Sequence, residues 1–139
     1  EKYFRSYLIS SRKVFGLQEP RTIRQMAGLG FVLASQGRTK EAEQILLEAL
    51  SLSEPGHGEN ATITLEPLYV INELYIEQKR YEEAEPYAIK FHTRSLNVYG
   101  IEDSGTVQSL NWLIQIYESL DNQEQVAHYK ALLPREKQP

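Results

Sequence analysis

The segment QGRTKEAE at residues 36–43 returns 42 residues later as QKRYEEAE at residues 78–85, with five identities in eight positions. A weaker third copy runs from residue 120 to residue 127. The same 42-residue offset relates Gly16, Gly58 and Gly100, and also Thr22, Thr64 and Thr106. A period of about 20 to 50 residues is typical of repeat proteins, in which each unit buries its core against its neighbours. The sequence therefore predicts an array of 42-residue repeats.

Each period contains two runs of apolar residues at the spacing i, i+3, i+4 and i+7, which is typical of helices. In the first repeat one run includes Met26, Leu29 and Leu33, and the other includes Ala42, Leu46 and Ala49. Each repeat is therefore predicted to be a pair of helices. The fold class expected is all-α.

Residues 3–14 repeat the pattern of a second helix, so the chain is expected to open on half a repeat. The predicted divisions are residues 1–21 for this partial repeat, 22–63, 64–105 and 106–134 for three repeats, and 135–139 for a polar tail. Seven helices are expected in total.

The residues between the runs predict where helices begin and end. The threonines Thr22, Thr64 and Thr106 are good N-cap residues, and Thr22 with Gln25 has the form of a capping box. Pro67 and Pro86 are expected in the first turns of their helices, where an amide has no intrahelical partner to lose. The left-handed residue that lets the chain reverse is expected to be Gly37, then Lys79, then Asn122.

Composition narrows the function classes. The 139 residues are 41% hydrophobic and 24% charged, with no cysteine and a formal net charge of −4. No basic footprint for nucleic acid is present, and no apolar run approaches the roughly 18 residues that a membrane span needs. We expect a cytoplasmic protein without a nucleic-acid or membrane partner.

A catalytic or metal site would need a nucleophile beside a base, a phosphate cradle or a cluster of ligands. The three histidines, His57, His92 and His128, lie in different repeats without ligand spacing. The acidic residues Glu82, Glu83 and Glu85 fall at a predicted helix start, where the helix dipole favours negative charge. We therefore expect no enzyme activity, no cofactor and no metal.

The segments at residues 36–43 and 78–87 and the linkers at 16–22 and 100–106 resemble the tetratricopeptide repeat family, in particular its 42-residue kinesin-light-chain type. The resemblance implies a right-handed superhelical solenoid of antiparallel helix pairs. It also implies that Ala42 and Ala84 lie where two helices cross, with Gly30 as the small residue of the first repeat. Asn72 and Ile114 depart from that small residue.

In this family the first helices line a concave face that binds a peptide or helix of a partner protein. Mapped residue by residue, the resemblance implies partner-binding positions at Arg24, Phe31, Tyr69, Glu73, Asn111, Trp112 and Gln115. The aromatic members are expected to act as anchors. The leading hypothesis is a protein-interaction adaptor or scaffold.

The alternative hypothesis is a structural or self-association segment of a larger signalling or regulatory protein. The half repeat at the amino end presents Tyr3, Phe4, Tyr7 and Leu8, whose apolar face must be covered. Homo-oligomer formation through this end is expected under that hypothesis.

Overall fold

The computed structural model describes residues 19–57 and 62–135, together with Lys2, Arg5, Ser6, Ile9, Ser10 and Lys13. The two ranges form six α-helices: α1 (Pro20–Ser35), α2 (Thr39–His57), α3 (Leu65–Glu77), α4 (Tyr81–Tyr99), α5 (Ser104–Ser119) and α6 (Gln123–Leu132). A 3₁₀ turn at Thr62–Thr64 precedes α3. No residue in these ranges lies in a strand, so the all-α class is confirmed.

The seventh helix expected, at the amino end, falls on a segment of which the structure describes only the six separate residues named above. All six have helical backbone. The residues Tyr3, Phe4, Tyr7 and Leu8 lie outside the described residues.

The chain forms two compact units, Glu1–Leu74 and Tyr75–Pro139, and the division falls within α3. In the first unit α1 packs against α2, and both contact the 3₁₀ turn. In the second unit α5 packs against α4 and against α6. Because short turns join α1 to α2 and α5 to α6, the helices of each of these pairs are antiparallel.

The three turns between first and second helices have the same geometry. Gly37, Lys79 and Asp121 have positive φ angles of 75°, 58° and 55°, and they lie 42 residues apart. The amide of the following residue closes each turn by donating to a carbonyl five residues earlier: Arg38 to Leu33 (2.9 Å), Arg80 to Tyr75 (2.8 Å) and Asn122 to Tyr117 (2.9 Å). This bond is the mark of a Schellman motif, which ends a helix on a left-handed residue.

The prediction that Asn122 holds the left-handed position is therefore wrong, because Asp121 holds it. Asn122 has a different function. Its side-chain oxygen accepts a hydrogen bond of 3.2 Å from the Gln125 amide and so caps α6. The 42-residue period places the left-handed residue at position 121. Asp121 therefore forms the turn, and Asn122 caps the next helix.

The prediction of threonine N-caps is wrong for Thr22 and Thr106. Both lie buried inside the first turn of a helix, since α1 begins at Pro20 and α5 begins at Ser104. Asp103 caps α5 instead, accepting from the amides of Gly105 (2.9 Å) and Thr106 (3.3 Å). The Thr106 hydroxyl bonds to the Ser95 hydroxyl at 2.7 Å. At these two positions the threonine serves packing and not capping.

The two prolines differ in outcome. Pro67 is the third residue of α3, in its first turn as predicted, but Pro86 is the sixth residue of α4 and lies inside the helix. Pro86 is exposed, so water can reach the carbonyl of Glu82, which loses an intrahelical donor there.

The small residues expected at helix crossings are buried. Ala42 and Ala84 have no exposed surface. A methyl group added at Gly30 would lie 2.6 Å from the Leu46 Cγ atom, so α1 and α2 approach closely at this point. Asn72, the residue 42 positions later, is also fully buried. Its Nδ2 donates to the Leu68 carbonyl at 2.8 Å, and its Oδ1 has no hydrogen-bond partner among the described residues.

Candidate functional site

On α1 the residues Arg24 and Phe31 lie seven positions apart, which is two helical turns, so they share one face. Both side chains are exposed, and Phe31 is 54% exposed. The opposite face of α1 is buried through Ile23, Met26 and Leu33. The Ser35 hydroxyl donates to the Phe31 carbonyl at 2.9 Å. A large aromatic ring is therefore held in solvent on a helix whose other side is fixed in the core.

On α3 the residues Tyr69 and Glu73 lie four positions apart and interact directly. Burial raises the pKa of the Tyr69 hydroxyl above its ordinary value, and the Glu73 carboxylate raises it further through its charge and a hydrogen bond. Tyr69 is half-buried and Glu73 is exposed. The two side chains therefore interact across one turn on the helix surface.

On α5 the residues Asn111 and Gln115 lie four positions apart and are both exposed. Their side-chain amides each carry a donor and an acceptor, the groups that pair with the backbone or polar side chains of a ligand.

Trp112 is not part of an exposed surface. It is only 4% exposed and packs edge-on against Phe91 of α4, with ring centroids 5.4 Å apart and planes at 70°. It lies about 100° around the helix from Asn111, which is enough to turn it from solvent into the core of the second unit. The expectation that Trp112 acts as a surface anchor is therefore corrected.

The structure groups the remaining candidate residues as pairs on three helices. Arg24 and Phe31 share α1, Tyr69 and Glu73 share α3, and Asn111 and Gln115 share α5.

Near the amino end the described residues include Arg5 and Ile9. The Arg5 guanidinium pairs with the Glu41 carboxylate of α2 at 2.7 Å, and Ile9 is 67% exposed. A cavity of about 300 Å³ in the first unit is lined by residues that include Arg5, Ile9, Leu33 and Ile45.

Sequence reasoning missed a buried polar cluster between α4 and α5. His92 Nδ1 lies 2.9 Å from the Ser109 hydroxyl, which donates to the Thr106 carbonyl at 2.5 Å. Because the Ser109 hydroxyl donates its proton to that carbonyl, the imidazole of His92 donates to the hydroxyl from Nδ1. Burial, followed by the charge of His128, lowers the pKa of His92 below its ordinary value. The repeat offers a signal for this cluster, because the polar residue His92 occupies the position that holds the apolar residue Leu50 in the preceding repeat.

The described residues contain no group of three or more histidine, aspartate or glutamate side chains placed to hold a metal ion. None of the helices in this part of the chain is both long and apolar enough to cross a membrane.

Residues 21–88 match the family model of the tetratricopeptide repeat, and this segment contains two of the three turns with the same Schellman geometry. These residues belong to the tetratricopeptide repeat family. Tetratricopeptide repeats are non-catalytic modules that generally mediate protein–protein interactions. No curated protein matches the chain.

Proposed function

We propose that this tetratricopeptide repeat protein is an interaction module that binds a peptide or helix of a partner protein on the exposed face of its first helices, α1, α3 and α5. The observation that carries the proposal is Phe31, a large aromatic side chain 54% exposed on a helix whose other face is buried. Aromatic side chains surrounded by polar groups are enriched among the residues that dominate binding energy.

The polar groups on this face suit a ligand with mixed chemistry. Arg24 supplies a positive charge two helical turns before Phe31. Tyr69 and Glu73 supply an aromatic ring and a carboxylate, and Asn111 and Gln115 supply amides. In a superhelical array, as the family resemblance implies, these helices would line the concave side.

A helical or folded ligand fits this face better than an extended peptide. The kinesin-light-chain type carries asparagines that grip an extended backbone. At the matching places this chain has Ala27 and Tyr69, and only Asn111 remains. Recognition of a helix instead uses apolar anchors spaced along a groove, and Phe31 offers such an anchor.

The test compares two exposed aromatic residues of equal exposure. Phe31 on α1 and Tyr99 on α4 are each 54% exposed, so replacing either by alanine should leave the fold intact. A partner captured with the wild-type chain is titrated against both variants. We expect Phe31→Ala to weaken binding by at least about tenfold, as for a hot-spot residue, and Tyr99→Ala to leave it unchanged. Equal affinities of wild type and Phe31→Ala would contradict the proposal.

Self-association is a second candidate function, favoured by Ile9. This side chain is 67% exposed, and a large apolar side chain in solvent can be covered by a second copy of the chain. Sedimentation equilibrium of the wild type and of Ile9→Glu tests it. Self-association predicts a concentration-dependent mass that Ile9→Glu abolishes, and a monomer at all concentrations rules it out.

A further inference from the structure

Glu85, in the second turn of α4, is a half-buried carboxylate with an incomplete set of partners. It accepts one hydrogen bond, from the Tyr117 hydroxyl of α5, at 3.2 Å. Among the described residues no lysine or arginine pairs with it. On the same helix, Glu83 pairs with Arg80. A cation stabilises a carboxylate that is partly removed from water. No cationic side chain among the described residues does so for Glu85.

Two aromatic rings lie beside this carboxylate. Tyr117 and Tyr129 stack with centroids 5.7 Å apart and planes at 3°, and the His128 ring lies edge-on to Tyr129 at 4.9 Å. The Glu85 charge reaches both phenols. After burial it is the next cause that raises the pKa of Tyr117, to about 12, and it also raises the pKa of Tyr129. Tyr129 is half-buried, so part of its surface is open to solvent.

The tyrosine pair is not common to all the repeats. In the first repeat the residues 84 positions earlier are Leu33 and Ile45.

In the preceding repeat an arginine of the chain packs against the equivalent tyrosine pair. Tyr75 and Tyr87, 42 residues before Tyr117 and Tyr129, also pack together, with centroids 5.9 Å apart. The guanidinium carbon of Arg80 lies 4.4 Å from the centroid of the Tyr75 ring, and the same guanidinium pairs with Glu83. The chain thus places its own arginine between an aromatic ring and a carboxylate.

That arginine is missing in the last repeat. The residue 42 positions after Arg80 is Asn122, and the residue 42 positions after Glu83 is Gln125. Asn122 is occupied in capping α6. The last repeat thus keeps the aromatic pair, Tyr117 and Tyr129, and has the Glu85 carboxylate beside it. None of the described residues supplies the guanidinium group that Arg80 supplies in the preceding repeat.

We propose that Glu85, Tyr117 and Tyr129 form a binding site for the guanidinium group of an arginine side chain from a partner protein. A planar guanidinium can lie on the exposed part of Tyr129 and donate to the free lone pairs of Glu85 at the same time. Lys130, the residue after Tyr129 on α6, is paired with Glu118 at 3.5 Å.

The guanidinium site lies apart from the partner-binding face proposed above. On α5, Tyr117 follows Gln115 by two residues, which turns it about 200° around the helix axis. The site is therefore independent of Phe31, and its test can fail or succeed without deciding the proposed function.

The experiment titrates N-acetyl-arginine methylamide into the whole chain and follows the ring resonances of Tyr129 by NMR. Its neutral isostere, N-acetyl-citrulline methylamide, is titrated in parallel. We expect saturable shifts with the arginine compound, with a dissociation constant in the millimolar range for a single side chain, and none with the citrulline compound. Equal shifts with both compounds, or none with the arginine compound at about 50 mM, would overturn the proposal.

Three variants locate the binding. Glu85→Gln keeps an acceptor for the Tyr117 hydroxyl but removes the charge, and we expect it to weaken binding at least fivefold. Tyr129→Leu, followed through the ring resonances of Tyr117, should do the same, and Tyr129→Phe, which keeps the ring, should not. Glu82→Gln is the matched control, because it removes an exposed carboxylate from the same helix three residues earlier. Loss of binding in Glu82→Gln equal to that in Glu85→Gln would mean that net charge, and not this site, attracts the probe.

Discussion

Gly30 lies where α1 approaches α2 so closely that a methyl group would lie 2.6 Å from Leu46 Cγ. Leu46 is fully buried and cannot move aside freely. We expect Gly30→Ala to destabilise the chain by about 1–3 kcal/mol through overpacking, reduced by the roughly 1 kcal/mol by which alanine favours a helix over glycine. Urea unfolding followed by circular dichroism measures the change.

The same substitution in a Leu46→Ala background separates the two effects. With the leucine removed the clash is gone, so Gly30→Ala should then stabilise the helix by about 0.5–1 kcal/mol relative to Leu46→Ala alone. If Gly30→Ala changed stability equally in both backgrounds, the close contact would not be the reason for the glycine.

Single residues show where sequence reasoning reaches its limit. Gly30 and Ala42 were predicted as small crossing residues because the resemblance to the tetratricopeptide repeat family implies small residues at these positions. Trp112 was misjudged because a helix position at the border between core and solvent depends on how neighbouring helices pack, which spacing alone does not specify. Thr22 and Thr106 were misjudged because a threonine that caps a helix and one buried inside the first turn give the same sequence signal.

At the scale of elements, the turns between helices repeat with fixed geometry but unequal residues. Gly37 adopts a positive φ at little cost, whereas Lys79 at φ 58° must accept the crowding of its Cβ. We expect Lys79→Gly to stabilise the chain by about 0.5–1 kcal/mol, even though glycine loses more backbone entropy on folding. Thermal melting measures this.

The reverse substitution, Gly37→Lys, exchanges glycine for lysine at the equivalent turn of the first repeat. It should lower the stability of the chain by a similar amount. A loss of stability in Lys79→Gly would indicate that the lysine side chain contributes more at this turn than its backbone costs.

The contact between α4 and α5 should respond to acid through His92. Burial and His128 lower its folded pKa below the ordinary value near 6.5, so the unfolded chain binds the proton more readily. The stability contributed by neutral His92 is therefore fully present above about pH 6.5 and is lost as the pH falls through the folded pKa. Each tenfold difference in proton affinity is worth about 1.4 kcal/mol. Urea unfolding at pH 7.5 and 5.5 measures the loss.

A double variant, His92→Leu with Ser109→Ala, is the control for this pH dependence. It introduces at position 92 the residue that the preceding repeat has there, Leu50. The Ser109→Ala change removes the hydroxyl that would otherwise lose its imidazole partner. Its stability should change less between the two pH values than that of the wild type. An unchanged pH dependence would show that other groups cause it.

The elements were largely predictable because their signals are local. The 42-residue period located the helix pairs and two of the three left-handed turns, since a Schellman turn depends on a few adjacent residues. The His92–Ser109 bond joins residues 17 positions apart on different helices, and no local pattern indicates such a partner.

For the molecule as a whole, a repeat family specifies packing and leaves the exposed positions free to vary, so membership does not name a ligand. The proposed binding face rests on side chains that the helix pairs do not need, above all Phe31. Such residues can be found in the sequence only after the core positions are known.

The most direct test of this account is site-specific photo-crosslinking from both kinds of helix. A photoreactive amino acid replaces Phe31, Glu73 or Gln115 on the first helices, and Ser51, Thr93 or Tyr99 on the second helices, all of which are exposed. With a captured partner, the account predicts crosslinks from the first three positions and none from the second three. Crosslinks from the second-helix positions alone, or equally from both sets, would contradict it.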